Sequence, residues 1–218
     1  NWQIRFLYDG DGEDIIAKYG KMPLPPYIKR NNGDGLADYQ RYQTVYAKQT
    51  GSIAAPTAGF HFTEELISAI RESGVDVVEV TLHIGIGTFT LIKSDYVEEH
   101  TMHQEYYELS ETVKELIGGA RSRGRRVIAC GTSAVRTLET AFSPNRDGAL
   151  HGETDLFIYP GHTFSVVDAV ITNFHLPRST PLLLAGAFAG REALMRCYEE
   201  AKGEGYRFYS YGDSMLLL

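Results

Sequence analysis

Apolar and polar positions follow two rhythms along this chain, and the changes of rhythm mark its elements. Residues 2–8 (Trp-Gln-Ile-Arg-Phe-Leu-Tyr) alternate with a period near two and predict a strand. Residues 13–19 predict a short helix stopped by Gly20. Pro23, Pro25 and Pro26 hold the next stretch extended, because each ring fixes φ and biases the residue before it away from helix. Residues 38–48 predict a helix. So do residues 64–73, with Leu66, Ile67 and Ile70 on one face, Thr63 as N-cap and Gly74 as the stop. Residues 75–83 are β-branched and apolar, the composition of a buried strand, and lead into a loop containing Gly85 and Gly87.

A polar region reaches Ser110, and a helix is predicted over 111–120. Residues 126–130 predict a short central strand, after which Gly131-Thr-Ser opens a helix over 134–141. Residues 155–159 and 166–172 predict two more strands, 180–202 reads as largely helical, and 215–218 as a terminal strand. This alternation predicts a single α/β domain over 1–218, a mainly parallel sheet flanked by helices. Ligands gather at the C-terminal ends of strands in such sheets. Four turns directly follow predicted strands, at 83–88, 131–133, 159–161 and 173–175, and are expected to converge on one rim.

Composition narrows the class. Hydrophobic residues at 43% and charged residues at 22% are ordinary globular values and argue against disorder. The longest apolar run, 181–189, falls well short of the ~20 residues that span a bilayer, so no membrane partner is expected. Cys130 and Cys197 have no metal-ligand spacing and suggest no disulfide framework, which fits a reduced cytoplasm. A net charge of −7 does not by itself point to nucleic acid, since phosphate attraction supplies much of that affinity. Arg121, Arg123, Arg125 and Arg126 read as a solvated helix end. The chain opens on an alternating segment without an initiator Met and reads as the remainder of a longer protein.

The segment Arg41-Tyr-Gln-Thr-Val-Tyr-Ala47 places polar groups where a core would want aliphatics. Gly51-Ser-Ile-Ala-Ala-Pro-Thr-Ala-Gly-Phe-His-Phe-Thr63 follows, small enough for its backbone to approach a ligand, or simply an irregular loop with a capping threonine. These two motifs resemble S-adenosylmethionine:tRNA ribosyltransferase-isomerase of queuosine biosynthesis. The resemblance continues in order through Pro23-Leu-Pro-Pro-Tyr-Ile-Lys-Arg30, Thr81-Leu-His-Ile-Gly-Ile-Gly-Thr-Phe89 and His100-Thr-Met-His-Gln-Glu-Tyr-Tyr107. It then runs through Gly131-Thr-Ser-Ala-Val-Arg-Thr-Leu-Glu139, Asp155-Leu-Phe-Ile-Tyr-Pro-Gly161, Asn173-Phe-His-Leu-Pro177 and Tyr206-Arg-Phe-Tyr-Ser-Tyr-Gly-Asp213. Three positions depart from the family pattern: Ser133 for a threonine, His162 for an aromatic, and Pro181 within an apolar run.

The resemblance implies the C-terminal portion of the family's catalytic domain, with its separate β-barrel domain missing. It implies transfer and isomerisation of the ribosyl portion of S-adenosylmethionine onto 7-aminomethyl-7-deazaguanine at the tRNA wobble position. Epoxyqueuosine forms, and adenine and methionine leave. S-adenosylmethionine is then a co-substrate, with no cofactor and no metal.

Such chemistry needs a base for the carbon beside the sulfonium, an acid for the departing adenine, and polar partners for ribose and carboxylate. His100, His103, His175 and Asp213 are the catalytic candidates on the family motifs. Paired histidines satisfied by hydrogen bonds, or holding a metal with Glu105, are the alternatives. Candidate substrate contacts are Tyr42, Gln43, Thr57, His61, His83, Gly85, Gly87, Thr88, Glu105 and Asn173. Thr132, Ser133 and Arg136 open a helix after a strand, the setting of a carboxylate or phosphate seat or of a plain cap. Lys29, Arg30 and Arg41 are the candidate RNA contacts. Two rivals are a non-catalytic RNA- or nucleotide-binding fragment and a hydrolase built on Ser133, His175 and Asp213. The second lacks a Gly-x-Ser-x-Gly elbow.

Overall fold

Short polar side chains start most of the helices. In the computed structural model, which describes residues 5–28, 38, 41–85, 87, 90–144 and 148–218, Asp11 accepts from the Glu13 N–H and opens α1 (Gly12–Tyr19). Thr63, Ser110 and Ser179 do the same for α2 (Glu64–Glu72), α3 (Glu111–Ser122) and α5 (Thr180–Ala189), each meeting an N–H of the first turn. The other two helices, α4 (Thr132–Ala141) and α6 (Arg191–Gly203), begin after glycines with positive φ and no side-chain cap. Residues 57–61 and 97–99 add two 3-10 turns.

Six short strands form two sheets. The first is antiparallel throughout, in the order β1 (Thr81–His83), β2 (Glu105–Glu108), β4 (His151–Thr154). The second has the order β3 (Ile128–Cys130), β5 (Ala169–Asn173), β6 (Ser214–Leu217). There β3 and β5 run parallel, and β6 runs antiparallel to β5. The expected mainly parallel sheet is therefore corrected: among the described residues one strand pairing is parallel and three are antiparallel. Residues 126–130 supply an edge strand, not the central one, and β5 takes the centre.

Helix α4 joins the two sheets. It packs on β1 and β4 of one and on β3 and β5 of the other. Seven of its ten residues, from Val135 to Ala141, are buried. One core runs through both sheets, from Tyr107 on β2 to Val170 on β5 and Leu217 on β6. Polar side chains in α4 meet partners inside it: Thr140 Oγ1 lies 2.7 Å from Thr154 Oγ1, and Thr154 is fully buried.

Several local expectations fail for identifiable reasons. Of residues 2–8, the described 5–8 are not a strand, and Phe6 and Leu7 are highly exposed. Of the helix expected over 38–48, residues 42–48 are not helical, although the Tyr42 N–H donates to Asp38 O. Only 81–83 of the apolar stretch 75–83 is strand, and Val75 is half exposed. Residues 155–159 belong to no strand; the chain leaves the sheet after Thr154, whose hydroxyl accepts the Leu156 N–H. Strand β2 lay hidden in the polar region before Ser110. Its alternation is carried by Glu105 and Tyr107 facing inward, so a buried carboxylate stands where an apolar residue would have signalled a strand.

Candidate functional site

A cleft opens where α4 begins, beside β1 and β2 of the first sheet. One wall carries Thr132, Ser133 and Arg136 of α4; facing residues are His100, Met102, His103 and Glu105; Gly87, Phe157 and Thr180 complete it. The sequence pattern explains each wall. Thr132, Ser133 and Arg136 fall on one helix face, at i, i+1 and i+4. Glu105 points inward because it shares the buried face of β2 with Tyr107.

Arg136 is held rigidly. Its Nη1 donates to Glu105 Oε2, and its Nε donates to Leu156 O at 3.0 Å. Both partners of the ion pair are nearly enclosed, with side-chain exposures of 11% for Arg136 and 4% for Glu105. The ring of His100 meets Phe157 edge-on at 5.0 Å. Burial, and after it the neighbouring His103, holds the His100 pKa below the ordinary imidazole value. That shift favours the neutral imidazole, the form able to accept a proton. His103 lies over Gly87, where any Cβ would overlap its ring. That glycine admits an imidazole to the cleft; Gly85, exposed and with open space around it, has no such role.

A second group sits beside this cleft, at the ends of β5 and β6. Thr57 Oγ1 donates to Asn173 Oδ1 at 3.0 Å, and Asn173, only 2% exposed, donates to Tyr209 O and Gly212 O. Its amide thereby fixes a turn in which Tyr209 has φ 73°. The guanidinium of Arg41 lies 5.2 Å above the Tyr211 ring, exposed to solvent. Asp213 accepts from the Arg207 backbone N–H and guanidinium; these bonds, with the charges of Arg207 and His61, lower its pKa. A carboxylate so stabilised is a weak base. Tyr42 is buried against Phe60 and Tyr211 and presents no open ring face, while Gln43 is exposed and accepts the Thr44 N–H.

The expected single rim is thus two adjacent groups. Of the four turns, those around Gly87 and Thr132 reach the cleft. His83 stacks on Tyr106 across β1 and β2, and Gly51 approaches it so closely that a Cβ would lie 2.7 Å from Nδ1. The small residues of the 51–63 loop therefore make room for protein side chains: Gly59 likewise leaves space for Tyr46.

His175 turns inward, away from the cleft. Its Nε2 is 2.7 Å from Thr172 Oγ1, its N–H donates to the Tyr198 hydroxyl, and burial pushes its pKa down to about 4. With Asp213 paired to Arg207 and Ser133 in the cleft, no Ser/His/Asp relay forms. Because the folded pKa lies below the unfolded value, the unfolded chain binds the extra proton between pH 4 and ~6.5. The stability from keeping this ring neutral is complete above that window and is lost as pH falls through it. Urea unfolding at pH 7 and 4.5 is expected to reveal a loss from this site of up to about 3 kcal/mol, discounted for partial exposure. His175→Gln should flatten that part of the profile; an unchanged profile would assign it elsewhere.

Thr88, Lys29 and Arg30 lie outside the described residues. Among the described residues, no group of three or more His, Cys, Asp or Glu is arranged to hold a metal ion, and no helix is long and apolar enough to cross a membrane. One buried acid received no role from the sequence. Glu139 of α4, 2% exposed, accepts the N–H groups of Ser165, Val166 and Val167 and lies 3.7 Å from His162 Nε2. It anchors the loop leading into β5. Its one sequence signal is a carboxylate beside Leu138 in an otherwise core-facing helix.

A family model described as queuosine biosynthesis protein matches residues 1–217. The chain is 51% identical over 219 residues to S-adenosylmethionine:tRNA ribosyltransferase-isomerase of Desulfitobacterium hafniense, covering 100% of this chain and 63% of that relative. It is 52% identical to the protein of the same name from Natranaerobius thermophilus, covering 99% and 62%. The crystal structure of S-adenosylmethionine tRNA ribosyltransferase from Thermotoga maritima matches with a TM-score of 0.62 at 44% identity, over 74% of this chain and 51% of that one. The chain therefore spans somewhat less than two thirds of the length of these curated relatives. With its motifs, the α4 cleft and the match over nearly every residue taken together, the chain belongs to the queuosine biosynthesis protein family.

Proposed function

We propose that this chain carries the S-adenosylmethionine and modified-base site of a tRNA-modifying transferase-isomerase. The reaction moves the ribosyl portion of S-adenosylmethionine onto the aminomethyl group of 7-aminomethyl-7-deazaguanine at the wobble position. Epoxyqueuosine-tRNA, adenine and methionine are the products. The observation that carries this reading is the cleft itself: a partly buried His100 and His103 line it together with Arg136 and the start of α4.

The positive sulfur acidifies the neighbouring 5′-carbon, and a neutral imidazole at His100 is suited to take that proton. Adenine leaves with a proton, and the attacking amine must shed one; His103, in the same cleft, is assigned that exchange. Removal of water from these groups strengthens every charge interaction between them. Arg41, exposed and held over the ring of Tyr211, offers a guanidinium plane for an unstacked anticodon base. His175 and Asp213 have structural partners and take no proton-transfer step here.

Calorimetric titration of the 218-residue chain with S-adenosylmethionine, with and without modified anticodon stem-loop RNA, tests the reading. Binding of both is expected. Absence of both from a folded chain would sink it, and binding without any turnover would favour a non-catalytic binding fragment.

A further inference from the structure

The guanidinium of Arg136 carries five N–H donors, and the protein answers only some of them. Nε and Nη1 have acceptors in Leu156 O and Glu105. Nη2 is buried and has none among the described residues, although only 9% of Arg136 is exposed. A buried charged donor without an acceptor is costly, so such a group marks a place where an acceptor binds. Arg136 lines the cleft together with Thr132 and Ser133, one helical turn earlier on the same face. Gly131, with φ 90°, caps this ten-residue helix without a side-chain acceptor, so no cap competes for its first N–H groups. Glu105 already offsets much of the guanidinium charge, which suits the place to one small anionic group and not to a run of phosphates.

We propose that Arg136 Nη2, the α4 N-terminus and the hydroxyls of Thr132 and Ser133 form a seat for a single oxyanion group. Its occupant is the α-carboxylate of the methionine portion of S-adenosylmethionine. The seat stands on the geometry alone; that occupant rests on the function proposed above. A carboxylate held at α4 leaves the sulfonium and ribose toward His100 and His103 on the opposite wall. An RNA phosphate oxygen carries the same chemistry and is the alternative source of the anion.

The test follows the backbone amides of Thr132 and Ser133 and the Arg136 guanidinium by nitrogen-15 NMR in the intact 218-residue chain. L-methionine, methioninamide, inorganic phosphate and S-adenosylmethionine are titrated separately. L-methionine is expected to shift these signals, and methioninamide to bind about tenfold more weakly or worse, the factor that one charge-assisted hydrogen bond carries. Shifts with phosphate but not methionine would keep the seat and assign it to RNA, overturning the occupant. Shifts with neither anion, or equal shifts with methioninamide, would overturn the seat. S-adenosylmethionine binding that leaves these signals unmoved would reject its carboxylate as the occupant while preserving the co-substrate reading. Occupancy by methionine without any S-adenosylmethionine binding would do the reverse. Arg136→Lys, which keeps the charge but loses the fork, should lose the methionine response; the ligand series decides the matter even if that variant does not fold.

Discussion

Replacing His100 by Ala is expected to lower turnover about 10²- to 10⁴-fold, the range that a positioned acid or base contributes. Affinity for S-adenosylmethionine should change far less, because the imidazole does its work in the transition state. The measurement is adenine release in a single turnover, with binding followed separately. The pH profile supplies a second readout. Burial and His103 lower the His100 pKa, so the base remains neutral, and the rate maintained, to a pH below the ~6.5 of a free imidazole. His103→Ala is expected to be similarly slow. His175→Ala should instead act through stability, since its ring nitrogen and backbone are occupied by Thr172 and Tyr198. Full turnover in the His100 variant would remove that residue from the mechanism.

Glu105→Leu is expected to destabilise the fold by about 3–5 kcal/mol, the cost of leaving a buried charge without its partner. The burial makes this effect large: Glu105 is 5% exposed and Arg136 9%. An exposed pair such as Lys48–Glu79, at 2.6 Å, should contribute no more than about 1 kcal/mol by comparison. Combining Glu105→Leu with Arg136→Met removes both charges and should recover most of the loss, as in other buried pairs replaced by apolar groups. Urea unfolding of the two single variants and the double variant measures the coupling. A double variant as unstable as the sum of the singles would show that the two residues act independently.

The same helix shows how far the sequence could be read. Residues 134–141 were legible as a helix opened by Gly131-Thr-Ser, because Val135, Leu138 and Ala141 repeat at helical spacing; the helix begins two residues earlier, at Thr132. Arg136, Thr137, Glu139 and Thr140 of the same helix are polar and gave no signal of burial. They are instead buried, because sheets pack on both sides of α4 and supply partners such as Leu156 O, Thr154 and the N–H groups of 165–167. No periodicity measures the partners that distant segments bring. For the same reason β2 was missed, with Glu105 in an inward position, and the central strand was misplaced.

The sequence by itself determined the family, the caps and registers of most helices, and the residues of the cleft: His100, His103, Glu105, Thr132, Ser133 and Arg136 all stand on motifs read in order along the chain. These are local or motif-borne properties, set by residue type and spacing. Only the tertiary structure decided that one of four strand pairings is parallel and that His175 faces the protein. It also decided that Asp213 is paired to Arg207 and that one guanidinium nitrogen of Arg136 is buried without an acceptor among the described residues. The exposed Asp213–Arg207 pair is local; most of these outcomes depend on groups that meet across 20 or more residues of chain in a region that excludes water. Burial there turns the same side chain into a base, a structural acceptor or an anion seat.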